Sequence, residues 1–150
     1  MKYQIVPATE DLLRAMAPHI RAADRREGEA LGFADPLDGL LLSFRHSEWA
    51  RVAVTPAGRP IAAWGVGVIS AQDNVWEPWM LSTPLVEQCR RDFLRESRRQ
   101  VAEMLAAAPV LRNIVDGRYR GAVRWLGWLG ATFGEPIEIG GAPFLPFELR

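Results

Sequence analysis

The sequence predicts an α+β fold of three α/β/α layers around a mostly antiparallel sheet. Helical patterning dominates residues 9 to 44, and strand-like runs broken by turn-formers dominate 49 to 82. A long helical repeat then lies between two extended runs, so the run after it should lie parallel to the run before it. The chain has 150 residues, 49% of them hydrophobic, enough to bury a core, and one domain spanning 1 to 150 is expected.

The elements follow in order. KYQIVP, Lys2 to Pro7, alternates roughly and reads as an opening strand. Thr9 suits a helix N-cap, with Glu10 and Asp11 at the positive end of the helix dipole. Leu12, Leu13, Met16, Ala17 and Ile20 form the apolar stripe behind it. A short helix over Asp24 to Leu31 should stop at Gly32, and Asp38 to Phe44 reads as a third helical run. WARVAVT and PIAAWGVGVI flank Pro56-Ala57-Gly58-Arg59, which predicts a hairpin. NVWEPWMLS is the next strand; Pro78 within it lacks an amide hydrogen, which predicts an edge, a bulge or a break in pairing.

The longest helix is expected over about Glu87 to Ala108, from the three- and four-residue spacing of Phe93, Leu94, Ser97, Val101, Met104, Leu105 and Ala108, before Pro109. Val110 to Asp116 reads as a buried strand. RYRGAVRWLGWLG follows as a helix. Gly121 and Gly127 should each cost about 1 kcal/mol inside that helix; the sequence does not explain them, and close approach of a backbone or a ligand is one reason that would. PIEIGGAPFLPFELR closes the chain as two strand-like pieces around a Gly-Gly-Ala-Pro turn.

Eighteen basic and eighteen acidic residues cancel, which removes any global field for nucleic acid or an anionic membrane. Cys89 is the single cysteine, so no intramolecular disulfide can form, and MKYQIVPATEDLL lacks the pattern of a signal peptide. No apolar run approaches the roughly 20 residues of a membrane span. A cytoplasmic chain without membrane or nucleic-acid partners is expected. His19, His46 and Cys89 are too scattered for a metal-ligand set, so no metal is expected.

The element order, with VDGRYRGAVRWLGWLGATF before a terminal hairpin, resembles the GNAT superfamily of acyl-CoA-dependent N-acyltransferases. Val115, Ala122, Trp125, Leu129 and Gly130 fall on that superfamily's fourth segment, with Phe133 three places past Gly130. Trp79 to Thr83, Phe93 to Ser97, Asn113 to Arg118, Val123 to Leu126 and Phe144 to Glu148 are similar to a GNAT-like subfamily of tailed phages and prophages that includes an internal virion protein of short-tailed phages. The subfamily likeness spans about Trp49 to Arg150. In RYRGAVRWLGWLG the family resemblance implies that Ala122, Val123, Leu126 and Leu129 face inward, that Arg118, Arg120 and Arg124 face solvent or a cleft, and that Gly130 is the stop.

The resemblance implies a mixed, mostly antiparallel sheet whose central parallel strands splay near Leu81 and Asn113. Free backbone groups there would hold acetyl-CoA as cosubstrate. Ser82, Thr83, Arg90, Arg91 and Trp125 would join Leu81 and Asn113 in that cofactor-binding set, the helix start receiving the pyrophosphate. The stretch Ser82 to Arg91 has no glycine where the superfamily has a glycine-rich loop. Arg90 and Arg91 could bind phosphate through side chains or simply sit on a solvated helix face, and Ser82 and Thr83 could instead be a strand end and an N-cap. Glu77, beside Trp76 and Trp79, is the candidate general base, against an ordinary surface glutamate. Trp125 stands at the position of the superfamily's acidic tyrosine, which leaves Tyr119 as a displaced acid or a packing residue. Cys89 as a nucleophile at a helix start, against a semi-buried thiol, and His46 toward an acceptor groove, against a surface histidine, complete the candidates.

The implied function is acyl transfer to an amine acceptor, by an enzyme of a phage or prophage acting in the host cytoplasm. The alternative is a non-catalytic GNAT-fold virion or assembly protein that partners other phage proteins.

Overall fold

The computed structural model describes residues 2–150. The chain runs β1 (Gln4–Pro7), α1 (Glu10–Met16), α2 (Ala22–Ala30), α3 (Pro36–Arg45), β2 (Ser47–Val54), β3 (Pro60–Ser70) and β4 (Val75–Ser82). It continues through α4 (Arg90–Ala107), β5 (Val110–Asp116), α5 (Arg120–Trp128), β6 (Thr132–Phe133), β7 (Ile137–Ile139) and β8 (Ala142–Leu149). The sheet order is β1-β2-β3-β4-β5-β8-β6, with β7 also on β8. Every pairing is antiparallel except β4 with β5.

Helices cover both faces, giving the three layers that the patterning predicts. On one face Leu13, Met16, Leu40 and Leu41 pack on Val52, Val54 and Ala63. On the other, Met104 and Leu126 pack on Ile61, Leu111, Val115 and Phe147. Thr9 Oγ1 accepts the Leu12 amide and Asp35 Oδ1 accepts the Leu37 amide, so α1 and α3 begin on side-chain caps. The helices α2 and α5 end on glycines at φ 97° and 102°, Gly32 and Gly130. Phe33 N–H to Gly28 C=O and Ala131 N–H to Leu126 C=O close those ends as Schellman turns.

Three details differ from the sequence expectation. The long helix starts at Arg90 instead of about Glu87. Pro84–Cys89 is wound as a tighter 3-10 turn, held by a Leu85 N–H to Thr83 Oγ1 bond and by burial of Val86 and Cys89. A two-residue strand, β6, is added against Phe147 and Glu148, too short to show any alternation in sequence.

The third difference concerns the α5 glycines, which no backbone approaches closely: a Cβ at Gly121 would meet Tyr119 at 3.9 Å and one at Gly127 would meet Phe133 at 3.9 Å. Both contacts are ordinary, so the helix penalty is uncompensated. Gly127→Ala should therefore raise stability by about 1 kcal/mol, read as a higher urea midpoint; an unchanged or lower midpoint would contradict this packing.

Pro78 lies in a central strand, yet leaves β4 paired to β3 from Val75 to Ser82. Its missing hydrogen points away from β3, into the gap described below. No helix of the described residues is long and apolar enough to cross a membrane.

Candidate functional site

β4 and β5 are in parallel register only at Val75 with Val110 and Trp76 with Leu111. Beyond that the strands part, as the crossover logic and the splay expectation require. The backbone groups that point into this gap can be read from their partners. Pro78 C=O accepts Asn113 Nδ2–H at 2.7 Å, and Ser82 C=O accepts Arg21 N–H at 3.0 Å. Backbone direction alternates along a strand, so Met80, between them, also turns its N–H and C=O into the gap. Pro78 carries no donor there to satisfy.

The chain's own groups cap most of the remaining edge. Asn113 bridges the gap: its Nδ2 donates to Pro78 and its Oδ1 accepts Ile114 N–H at 2.7 Å. Asp24 Oδ2 accepts both Ser82 N–H at 3.1 Å and Ser82 Oγ–H at 3.2 Å. Glu27 Oε2 accepts Asp116 N–H at 2.9 Å. The helix α2 thus lays two carboxylates, one turn apart on one face, across the open ends of both splayed strands.

A cavity of about 360 Å³ runs through the splay. On the α4/α5 face it is lined by Trp64, Phe93, Ser97 and Trp125, and on the α1–α3 face by Phe33, Leu42, Glu77 and Trp79, with Met80 and Asn113 between. Trp79 and Leu81 pack in the α1/α3 core, so Glu77, two residues before Trp79, faces the same side. Gly65 and Gly67 make room there: a Cβ at Gly65 would come within 2.8 Å of Trp79 Nε1, and one at Gly67 within 2.7 Å of His46 C=O. Trp79 Nε1 itself donates to Ser47 Oγ at 2.7 Å, which fixes the indole.

Electrostatics divide the acids. Burial pushes Asp24 up to about 6 against the opposing hydrogen bonds from Ser82. Burial also pushes Glu27 up to about 7, with the neighbouring charges of Asp24 and Asp116 adding to the rise. The Tyr119 hydroxyl, hydrogen-bonded to Asp24, is raised to about 12 by burial first and by the Asp24 charge second. Glu77 is raised by partial desolvation alone. It is exposed by area, and its carboxylate has no hydrogen bond or ion pair among the described residues. Asp116 is the opposite case: Arg118, at 2.7 Å, holds it below the usual carboxylate range.

The sequence-derived residues therefore separate. Glu77, Leu81, Asn113, Tyr119 and Trp125 all line the cavity. Trp125 faces it with its Nε1 donating to Ser97 Oγ at 3.2 Å and its ring 5.9 Å from Phe93. Ser82 and Thr83 are both 1% exposed. Ser82 is held by α2, and Thr83 Oγ1–H donates to Ile61 C=O at 3.0 Å, so both fix the end of β4. Arg90 and Arg91 are exposed at the start of α4, and Arg90 lies 3.8 Å from Glu87. Cys89 lines the cavity, and burial pushes its thiol up, which opposes a nucleophilic role. His46 is exposed and lies outside the lining. Arg118, Arg120 and Arg124 face solvent. Asp24, Glu27 and Met80 are the additions; the helical spacing of Asp24 and Glu27 was visible in sequence, but not where α2 lands. Among the described residues no group of three or more His, Cys, Asp or Glu side chains is placed to hold a metal ion.

No protein-family model and no curated protein sequence matches the chain. Solved structures do match its fold. A spermidine N-acetyltransferase from Vibrio cholerae, solved with CoA and spermine, superposes with a TM-score of 0.68 at 13% identity, covering 98% of this chain and 94% of that one. An aminoglycoside acetyltransferase in complex with coenzyme A gives 0.69 at 14% identity, covering 99% and 95%. A ribosomal-protein-S5-alanine acetyltransferase from Vibrio fischeri gives 0.67 at 14% identity, covering 99% and 93%. The chain has the GNAT acetyltransferase fold.

Proposed function

We propose that the chain is an N-acyltransferase that moves an acyl group from acyl-CoA, with acetyl-CoA as the donor, to an amine across the β4/β5 gap. The observation that carries this reading is the cavity through the splay, with the Met80 backbone between its two faces and the unpaired Glu77 carboxylate on one wall. The fold shared with acetyltransferases solved with CoA supports it.

The donor supplies an activated thioester carbonyl. The Met80 amide, directed into the gap, donates to the carbonyl oxygen as charge develops on it. Glu77 takes the proton that the amine must lose, and its raised carboxyl is a stronger base than an ordinary glutamate. The amine nitrogen then bonds to the carbonyl carbon as the C–S bond breaks. At about 12, Tyr119 keeps its proton at neutral pH. Giving it outright to a thiolate of ordinary pKa near 8.5 would be uphill by about 5 kcal/mol. Tyr119, whose one O–H is already given to Asp24, therefore lines the cavity without releasing its proton, and water protonates the leaving thiolate. Leu81, Asn113 and Trp125 shape the donor's path. Arg90 and Arg91 offer side-chain charge to its phosphates, in a stretch that has no glycine to build a backbone cradle.

The second reading is a non-catalytic GNAT-fold virion or assembly protein of a phage or prophage. It is favoured by the capping of Pro78, Ser82, Ile114 and Asp116 with the chain's own groups, which leaves few edge groups for a ligand. Calorimetric titration with acetyl-CoA separates the two. Saturable binding at or below millimolar ligand is expected; a flat titration at millimolar ligand would favour the second reading.

A further inference from the structure

The α1–α3 side of the cavity is built mainly from apolar side chains. Phe33, Pro36 and Leu42 line it from the α2–α3 connection and α3, and Trp79 lines it from β4. Leu31 and Leu42 are left 39% and 47% exposed at this side, although both are large apolar residues. Three carboxylates also border it, but two are already engaged. Asp24 is bonded to Ser82 and Tyr119, and Glu27 to Asp116. Among the described residues Glu77 alone is free to meet a cation on that side. Arg25, which also lines the cavity, adds positive charge that opposes a second ammonium.

Resting on the acyl-transfer reading, we infer that the acceptor is a primary amine with one cationic centre on an apolar body, an aralkylamine or branched alkylamine, and not a polyamine or amino sugar. Its ammonium sits at Glu77 and its apolar body lies against Phe33, Leu42 and Trp79. Burying such a body is favourable by about 25 cal/mol per Å² of apolar surface, while a polyamine would desolvate further charges without partners.

The test is calorimetry of the full chain with phenethylamine and with spermidine, without acyl donor. Phenethylamine is expected to bind at least tenfold more tightly. Leu42→Asp, at a position 47% exposed, is expected to weaken phenethylamine and strengthen spermidine, closing most of that gap. Equal or tighter binding of spermidine by the unaltered chain, or binding of neither amine, would overturn the inference. Thiol release from acetyl-CoA separates this from the parent reading. Selective phenethylamine binding without thiol release would sink acyl transfer and leave the pocket chemistry standing. Thiol release faster with spermidine than with phenethylamine would do the reverse.

Discussion

Glu77→Gln is expected to lower kcat of acyl transfer by about 10²- to 10⁴-fold, the range for a lost general base, while acetyl-CoA affinity changes less than about twofold. Glutamine keeps the shape and one acceptor oxygen, so β4 and its register with Gly67 are undisturbed. What is removed is, among the described residues, the only carboxylate on the α1–α3 side of the cavity without a partner. The pH profile supplies the control. In the unaltered chain the rate should climb as pH rises through the Glu77 pKa, which lies above the ordinary glutamate value because of desolvation. That limb should vanish in the variant. A variant with unchanged kcat and the same limb would show that proton removal occurs elsewhere.

Stability should fall as pH rises from about 4 to about 7, opposite to the usual carboxylate pattern. Asp24 and Glu27 titrate at about 6 and about 7 in the folded chain, against about 4 when unfolded. Between these limits the folded state holds protons that the unfolded state has released, so the slope of unfolding free energy with pH is negative. Each shift of about 2 units corresponds to about 3 kcal/mol. The two groups share one cluster, so their effects overlap, and a total loss of about 3 to 5 kcal/mol is expected.

The groups with depressed pKa values do not cancel this. Asp116, Glu103 and Glu148 are all held below the usual carboxylate range by arginine partners, so their contributions disappear only below that range. Urea unfolding at a series of pH values measures the trend. Glu27→Gln, whose side-chain oxygen can still accept the Asp116 amide, should flatten the upper part of the curve. A stability that is level or rises between pH 4 and 7 would show that the α2 carboxylates are not buried against the strand ends.

Much of this architecture was legible because it is local. The Thr9 cap needs only its own first turn, the hairpin around Pro56 to Arg59 needs only its turn residues, and Gly130 stops α5 by its own backbone. The parallel β4–β5 pair followed from the length of the crossover between them. Pro78 left an edge, a bulge or a break in pairing open; the structure puts it in a central strand with no bulge there against β3, facing the side where pairing with β5 has stopped. The capping of the splay was not legible. It depends on the landing place of α2, which brings Asp24 to Ser82, 58 positions later, and Glu27 to Asp116, 89 positions later. No periodicity encodes such a meeting. Nor could spacing show that Asn113, expected to hold a ligand, would bind Pro78 and Ile114 across the gap. Glu77 and Tyr119 are candidates only through the resemblance to the GNAT superfamily; their convergence on one cavity is a property of the sheet.

Thiol release from acetyl-CoA, followed with a chromogenic disulfide over a panel of primary amines, tests acyl transfer through the splay most directly. Amine-dependent release that saturates in both substrates and is lost in Glu77→Gln is the expected result. A folded chain that releases no thiol above the amine-free blank with any acceptor, at millimolar acetyl-CoA, would contradict it.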